Sequence, residues 1–209
     1  MDDTGNDDQD VRPNPTFVTA RMVLRPFRAD DLESLVALDA DPGVKAFIDG
    51  GLPVDRADVE DTLQHWMRFA SHTPGYGCWA ADDRATGRFV GWFHLRPHGD
   101  DPHDRPELGY RLHRHAWGRG LGTEGSVELL RHAFETMGAS SVYAETMVVN
   151  TGSRRVMEKA GMRHVRTFFA DWPVRIPGDE HGDVTYEITR DEWLAGRGGQ
   201  TMRDTLSGQ

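Results

Sequence analysis

Residues 117–125 read Trp117-Gly118-Arg119-Gly120-Leu121-Gly122-Thr123-Glu124-Gly125. Glycine has no Cβ, so its backbone turns tightly and lets a ligand come close. A helix that starts just after such a loop aims free N–H groups and the positive end of its dipole at whatever lies there. The stretch therefore predicts a seat for a phosphate group.

Its flanks predict the elements that hold it. Upstream, Glu107–His113 alternates, with Leu108, Tyr110 and Leu112 on one face and Glu107, Gly109 and Arg111 on the other, which predicts a strand. Downstream, Val127, Leu130, Phe134 and Met137 recur at helical spacing, and Gly138 closes that helix. A strand over Val142–Val149 follows. Asn150 then caps a short helix that stops at Gly161, and His164–Ala170 and Val184–Thr189 are the last strands. Nearer the start, Thr19–Phe27 reads as a strand. Asp30 with Glu33 reads as a capping box opening a helix through Leu32, Leu35, Val36 and Leu38, which Asp41-Pro42-Gly43 ends. A second helix begins near Asp55, with Val59, Leu63, Trp66, Met67 and Ala70 on its apolar face. Tyr76–Asp82 and Arg88–Leu95 form a hairpin, and 96–106 is a polar loop. The order predicts a mixed α/β (α+β) domain over 17–195, antiparallel at first, with one parallel crossover around the glycine loop. Residues 1–16, rich in Asp and Pro, are expected to be disordered, and 196–209 to be a flexible tail.

The 209 residues carry 34 acidic and 24 basic side chains, a net charge of -10 at pH 7. That balance argues against a general nucleic-acid or anionic-membrane binder. It suits a cationic amine partner, as do the loop residues Asp100, Asp101, Asp104, Asp179, Glu180 and Asp183, although solubility explains them equally well. Cys78 is the lone cysteine, which excludes an internal disulfide and a cysteine-rich metal site; in a strand it reads as core. His94, His98, His103, His113 and His115 match no zinc spacing, so no metal is expected. No apolar run suits a membrane span and the acidic start suits no signal peptide, so the expected location is cytoplasmic.

Three readings of the glycine loop compete. A P-loop needs Lys and then Ser or Thr after its last glycine, whereas Gly122 is followed by Thr123 and Glu124. Gly120, Gly122 and Gly125 do spell G-x-G-x-x-G, with Glu145 at a distance suited to a ribose contact. A Rossmann strand, however, is nearly all apolar and runs straight into the first glycine. Here Glu107, Arg111 and His113 interrupt it.

The third reading rests on three ordered motifs: Leu108–Leu112, Trp117–Glu124, and Asn150-Thr151-Gly152-Ser153-Arg154-Arg155-Val156-Met157-Glu158-Lys159-Ala160-Gly161-Met162. Together they resemble the GNAT superfamily of N-acetyltransferases, most closely the branch that includes the ribosomal-protein N-terminal acetyltransferases. Thr19–Phe27 also looks like that branch's first strand.

The resemblance implies acetyl-CoA as co-substrate and a sheet whose central strands, 107–113 and 141–149, splay apart. It implies that the pantetheine arm bonds main chain around Tyr110 and Leu112. It places the pyrophosphate on amides of Trp117, Gly118, Arg119, Gly120, Leu121 and Gly122, beside Thr123, with Asn150 touching the arm. Arg119 reads either as a phosphate contact or as a solvated surface residue. Glu107 reads either as a base working through water or as a strand-end carboxylate. Many relatives carry a Tyr where Met157 stands here, and methionine donates no proton. Ser153 is the substitute acid, or simply a helix-end hydrogen bonder. Trp172 lies in a loop that could reach the acceptor. The expected function is transfer of an acetyl group to a primary amine, on a protein N-terminus or a small molecule, by direct attack in a ternary complex. The other reading is a non-catalytic acyl-CoA-binding module. Many relatives pair, so the resemblance allows a homodimer.

Overall fold

The computed structural model describes residues 14–99, 101–172 and 174–196. The alternation over Thr19–Phe27 predicts one strand. The structure instead has β1 (Phe17–Val18) and β2 (Met22–Pro26). A turn divides them: the Thr19 N–H donates to the Met22 carbonyl, and the Met22 N–H donates back to the Thr19 hydroxyl, both at 2.9 Å. The loose segment expected over 1–16 ends earlier, because Asn14 is buried. Its amide donates to the Tyr76 carbonyl at 2.8 Å and accepts from the Gly75 N–H at 2.9 Å. Residues 1–13, and 197–209 of the expected tail, lie outside the described residues.

Three helices follow: α1 (Leu32–Asp39), α2 (Pro42–Lys45) and α3 (Arg56–His72). The acidic residue that organises the start of α1 is Asp31 rather than Asp30 with Glu33. It accepts the Arg28 N–H at 2.8 Å and binds the Arg25 guanidinium at 2.7 Å. Asp41-Pro42-Gly43 is a helix start as well as a stop. Asp41 accepts the Gly43 N–H at 2.9 Å, and Pro42 occupies the first helical position, where its missing N–H costs nothing. Asp55 caps α3 as expected. Val59 and Leu63 are buried, but Met67 is 37% exposed.

The sheet is completed by β3 (Gly77–Asp83), β4 (Phe89–Arg96), β5 (Glu107–Leu112), β6 (Ser141–Met147), β7 (Arg163–Phe168) and β8 (Asp183–Thr189). Helix α4 (Leu121–Glu135) links β5 to β6, and α5 (Thr151–Lys159) follows β6. The chain continues helically through 190–196. Strand order is β1-β2-β3-β4-β5-β6-β8-β7. Neighbours are antiparallel except β5 and β6, which run parallel and share the single pair Glu107↔Tyr143. Beyond that pair the two strands part, leaving a V that opens toward Leu112 and Met147.

Each face of the sheet buries its own core. Trp79, Phe93, Leu108 and Leu112 pack on the face of α4 and α5, with Leu129, Phe134 and Met157. Phe27, Cys78, Ala80 and Trp92 pack on the opposite face, with Leu35 and Leu38 of α1 and Val59 and Leu63 of α3. Alternation along β5 therefore sends Tyr110 toward α5, and Glu107 and Arg111 toward α1. No helix among the described residues is long and apolar enough to cross a membrane.

Candidate active site

The glycine loop is held open by its backbone. Gly118 (φ 69°) and Gly120 (φ 79°) are left-handed, and Gly120 is the residue just before α4. An L-residue would cost about 1–2 kcal/mol at each position. No atom lies within 4 Å of where a Gly118 side chain would be. The β1–β2 turn clamps the loop from outside. Glu124, in the first turn of α4, accepts from the Thr19 hydroxyl at 2.6 Å and from the Arg21 backbone and side chain at 2.7 Å each. Arg21 also donates to the Arg119 carbonyl at 2.6 Å. The leading N–H groups of α4 have no partner within the helix. Gly122 has a different reason to be glycine: a Cβ there would sit 3.2 Å from Val156, so the position lets α4 and α5 pack closely.

The V between β5 and β6 is lined by polar backbone. Successive strand residues direct their N–H and C=O groups to opposite edges. The His113 N–H donates to the Val90 carbonyl of β4, so the groups of Leu112 and Tyr110 face the gap. The Leu112 carbonyl is already used, because the Trp117 indole donates to it at 2.8 Å. The Leu112 N–H and both Tyr110 groups remain. The Tyr110 phenol meets α5, 2.9 Å from the Ser153 hydroxyl and 3.2 Å from the Ser153 carbonyl. Burial outweighs the Ser153 hydrogen bond and pushes the phenol up to about 12, so it stays protonated at neutral pH. Asn150 caps α5 as expected, accepting the Ser153 N–H at 3.1 Å and donating to the Thr146 hydroxyl at 3.0 Å.

On the α1–α3 face, Glu107 meets His94. The His94 ring stacks on Trp92 with centroids 5.7 Å apart and reaches across β5, where a Cβ on Gly109 would lie 2.6 Å from it. His94 Nε2 is buried without a hydrogen-bond partner and lies 3.5 Å from a Glu107 carboxylate oxygen. Burial holds His94 below the usual imidazole range, although Glu107 pulls the other way. Burial alone would raise Glu107, but His94, His98 and Arg96 together outweigh it and leave the carboxyl below its usual value. At neutral pH the pair is a carboxylate beside a neutral imidazole. Cys78 lies in the core of the same face, its thiol pushed up to about 12 by burial, which suits no nucleophile.

One cleft of ≈ 1010 Å³ joins these parts. It runs from Gly118, Gly120 and Thr123 past Tyr110 and Ser153 to Glu107 and His94. Phe47, Ile48, Trp172 and Val174 wall it further on. Trp172 sits there with its indole N–H 2.8 Å from Asp183.

A family model described as an acetyltransferase (GNAT) domain matches residues 21–163. The chain belongs to the GNAT acetyltransferase family. A protein of Aspergillus fumigatus named FsC-acetyl coenzyme A-N(2)-transacetylase is 38% identical over 190 residues, 88% of this chain and 80% of that one. An acetyltransferase structure from Agrobacterium tumefaciens is 26% identical, covers 85% of this chain and 95% of its own, and has a TM-score of 0.66. A putative ribosomal-protein-serine acetyltransferase structure from Vibrio cholerae has a TM-score of 0.68, covers 85% of this chain and 98% of its own, and is 17% identical. That last likeness is one of fold.

GNAT acetyltransferases use acetyl-CoA as co-substrate, and the donor end of this cleft has the right chemistry for it. It offers unpartnered helix-start amides, an open flank at Gly118 and free strand-edge backbone. Of the residues expected to contact it, Tyr110, Leu112, Trp117, Gly118, Gly120, Leu121, Gly122, Thr123 and Asn150 line the cleft, and so do Glu107 and Ser153. Arg119 does not. It is half exposed and points to Asp83, 3.9 Å away. Two groups escaped the sequence reading. His94 sits in that reading only as a failed metal ligand, and no group of three potential ligands forms among the described residues. Tyr110 enters that reading through its main chain alone, with no role for the phenol. Alternation does place it on the α5 face, but Ser153 is 43 residues away in sequence.

Proposed function

We propose that this GNAT acetyltransferase moves an acetyl group from acetyl-CoA directly to an amine, with Glu107 as base and the Ser153–Tyr110 hydroxyl pair as acid. The observation that carries the reading is the single cleft linking the glycine loop to Glu107 through the sheet. The amine nitrogen attacks the thioester carbonyl, the C–N bond forms and the C–S bond breaks. The proton lost by nitrogen passes through water to Glu107, which His94 keeps company in its neutral form. The departing sulfur takes a proton from Ser153, which Tyr110 replenishes. The transacetylase name of the Aspergillus relative supports a nitrogen acceptor.

The work asked of Glu107 depends on the acceptor. Making a lysine-like amine neutral at pH 7 costs about 4–5 kcal/mol, against about 1 kcal/mol for an α-amine.

Initial velocities with acetyl-CoA and an amine varied together test the direct route. Intersecting double-reciprocal lines are expected. Parallel lines would reveal a covalent acetyl-enzyme and overturn it.

A further inference from the structure

The acceptor end of the cleft combines apolar walls with few free carboxylates. Phe47 (40% exposed), Ile48 (51%), Trp172 (51%) and Val174 (41%) are among the exposed large apolar side chains of the described residues, and all four line this one cleft. They come from two loops that touch. The segment after α2 reaches the segment after β7, where a Cβ at Gly50 would lie 3.0 Å from Ile176. Exposed apolar surface gathered in one concave place marks a binding site rather than random surface.

The acidic residues of the cleft do not offer a second feature of equal weight. Asp49 pairs with Lys45 at 2.6 Å and accepts the Gly51 and Leu52 N–H groups. Asp179 is bound by Arg175 and by the Ile176 N–H. Glu145 accepts the Thr185 hydroxyl at 2.6 Å and faces Arg166 at 3.5 Å. Asp183 accepts the Trp172 indole. Glu107 alone among the cleft's described carboxylates accepts no hydrogen bond from the chain, since His94 stands 3.5 Å off. A polyamine needs a row of free carboxylates to replace its water, and this row is already engaged.

We infer that the acceptor is a monoamine with an apolar body, an arylalkylamine or long alkylamine, whose nitrogen sits at Glu107 while its body lies between Phe47, Ile48, Trp172 and Val174. The inference rests on the acetyl-transfer reading above and narrows its substrate.

The test is kcat/KM, by release of free thiol from acetyl-CoA, for phenethylamine, tryptamine, butylamine, hexylamine, spermidine and an Ala-terminated peptide. Expected are an arylalkylamine preferred over spermidine by about tenfold or more, and a gain of about tenfold from butylamine to hexylamine. Phe47→Ala and Trp172→Ala should each lower kcat/KM for tryptamine about tenfold, mostly through KM, with the acetyl-CoA Kd unchanged. Phe47→Leu should restore most of the loss. A preference for spermidine or the peptide, or no effect of chain length, overturns the inference and leaves acetyl transfer standing. Thiol release with none of these amines removes both.

Discussion

At the residue scale, the proposed chemistry rests on two pairs, Glu107 with His94 and Tyr110 with Ser153. In that proposal the second pair takes the part of the tyrosine that many relatives carry at the position of Met157, which is buried in the core here. Tyr110→Phe and Ser153→Ala should each lower kcat with little change in the acetyl-CoA Kd. With the two hydroxyls, 2.9 Å apart, proposed as one relay, the double variant should be little worse than either single one. Rapid-quench and steady-state rates of the three variants check this; additive losses would separate the two residues. That Glu107 and Ser153 line the cleft was legible in the sequence, because motif positions carry them. His94 was not, because what makes it notable is tertiary: a buried, unpartnered nitrogen, a missing side chain at Gly109 and a carboxylate across the strand. Gly122 teaches the same lesson, since its tight contact is with Val156 on another helix.

At the element scale, both helices that frame the donor end start with a specific local device. Helix α4 starts from left-handed Gly120, and Glu124 anchors it to the β1–β2 turn. Helix α5 starts from Asn150, whose cap fixes Ser153. Asn150→Ala should cost about 1 kcal/mol in urea unfolding, the usual loss for such a cap. It should also lower kcat through a misplaced Ser153; unchanged stability and turnover would mean that the cap does not position the hydroxyl. Periodicity and caps made most elements readable: α3, α4, α5 and the β3–β4 hairpin stand close to their expected bounds. The turn at Thr19–Arg21 and the short helix α2 were missed. Alternation over Thr19–Phe27 continues through the turn, and Asp41-Pro42-Gly43 is both a helix stop and a helix start.

At the scale of the whole molecule, one parallel pair in an otherwise antiparallel sheet opens a passage between two separate cores. The order of elements along the chain and the parallel crossover were readable, and the single-pair contact of β5 with β6 matches the expected splay; the insertion of β8 between β6 and β7 was not. The loop-to-loop contact that walls the acceptor end was not, because Gly50 and Ile176 share no local pattern. The fold also has a pH signature. Burial lowers His94 and His132, the latter with Nε2 3.0 Å from the Gly75 carbonyl. Both titrate near 6.5 when unfolded. Below that pH the unfolded chain takes up protons that the native chain refuses, so stability is complete above about 6.5 and falls on acidification. Urea midpoints should therefore drop from pH 7 to pH 5, and the drop should be smaller in His132→Gln. An equal drop in that variant would remove His132 from the account.

In the proposed reaction the cleft brings acetyl-CoA, bound at the glycine loop, to an amine at Glu107. Amine-dependent thiol release by the natural chain and by Glu107→Gln, with the acetyl-CoA Kd of each measured by calorimetry, tests it most directly. Expected are equal affinity for acetyl-CoA and a turnover at least about a hundredfold lower in the variant, the usual contribution of a general base. Unchanged turnover in Glu107→Gln, or no acetyl-CoA binding by the natural chain, would contradict it.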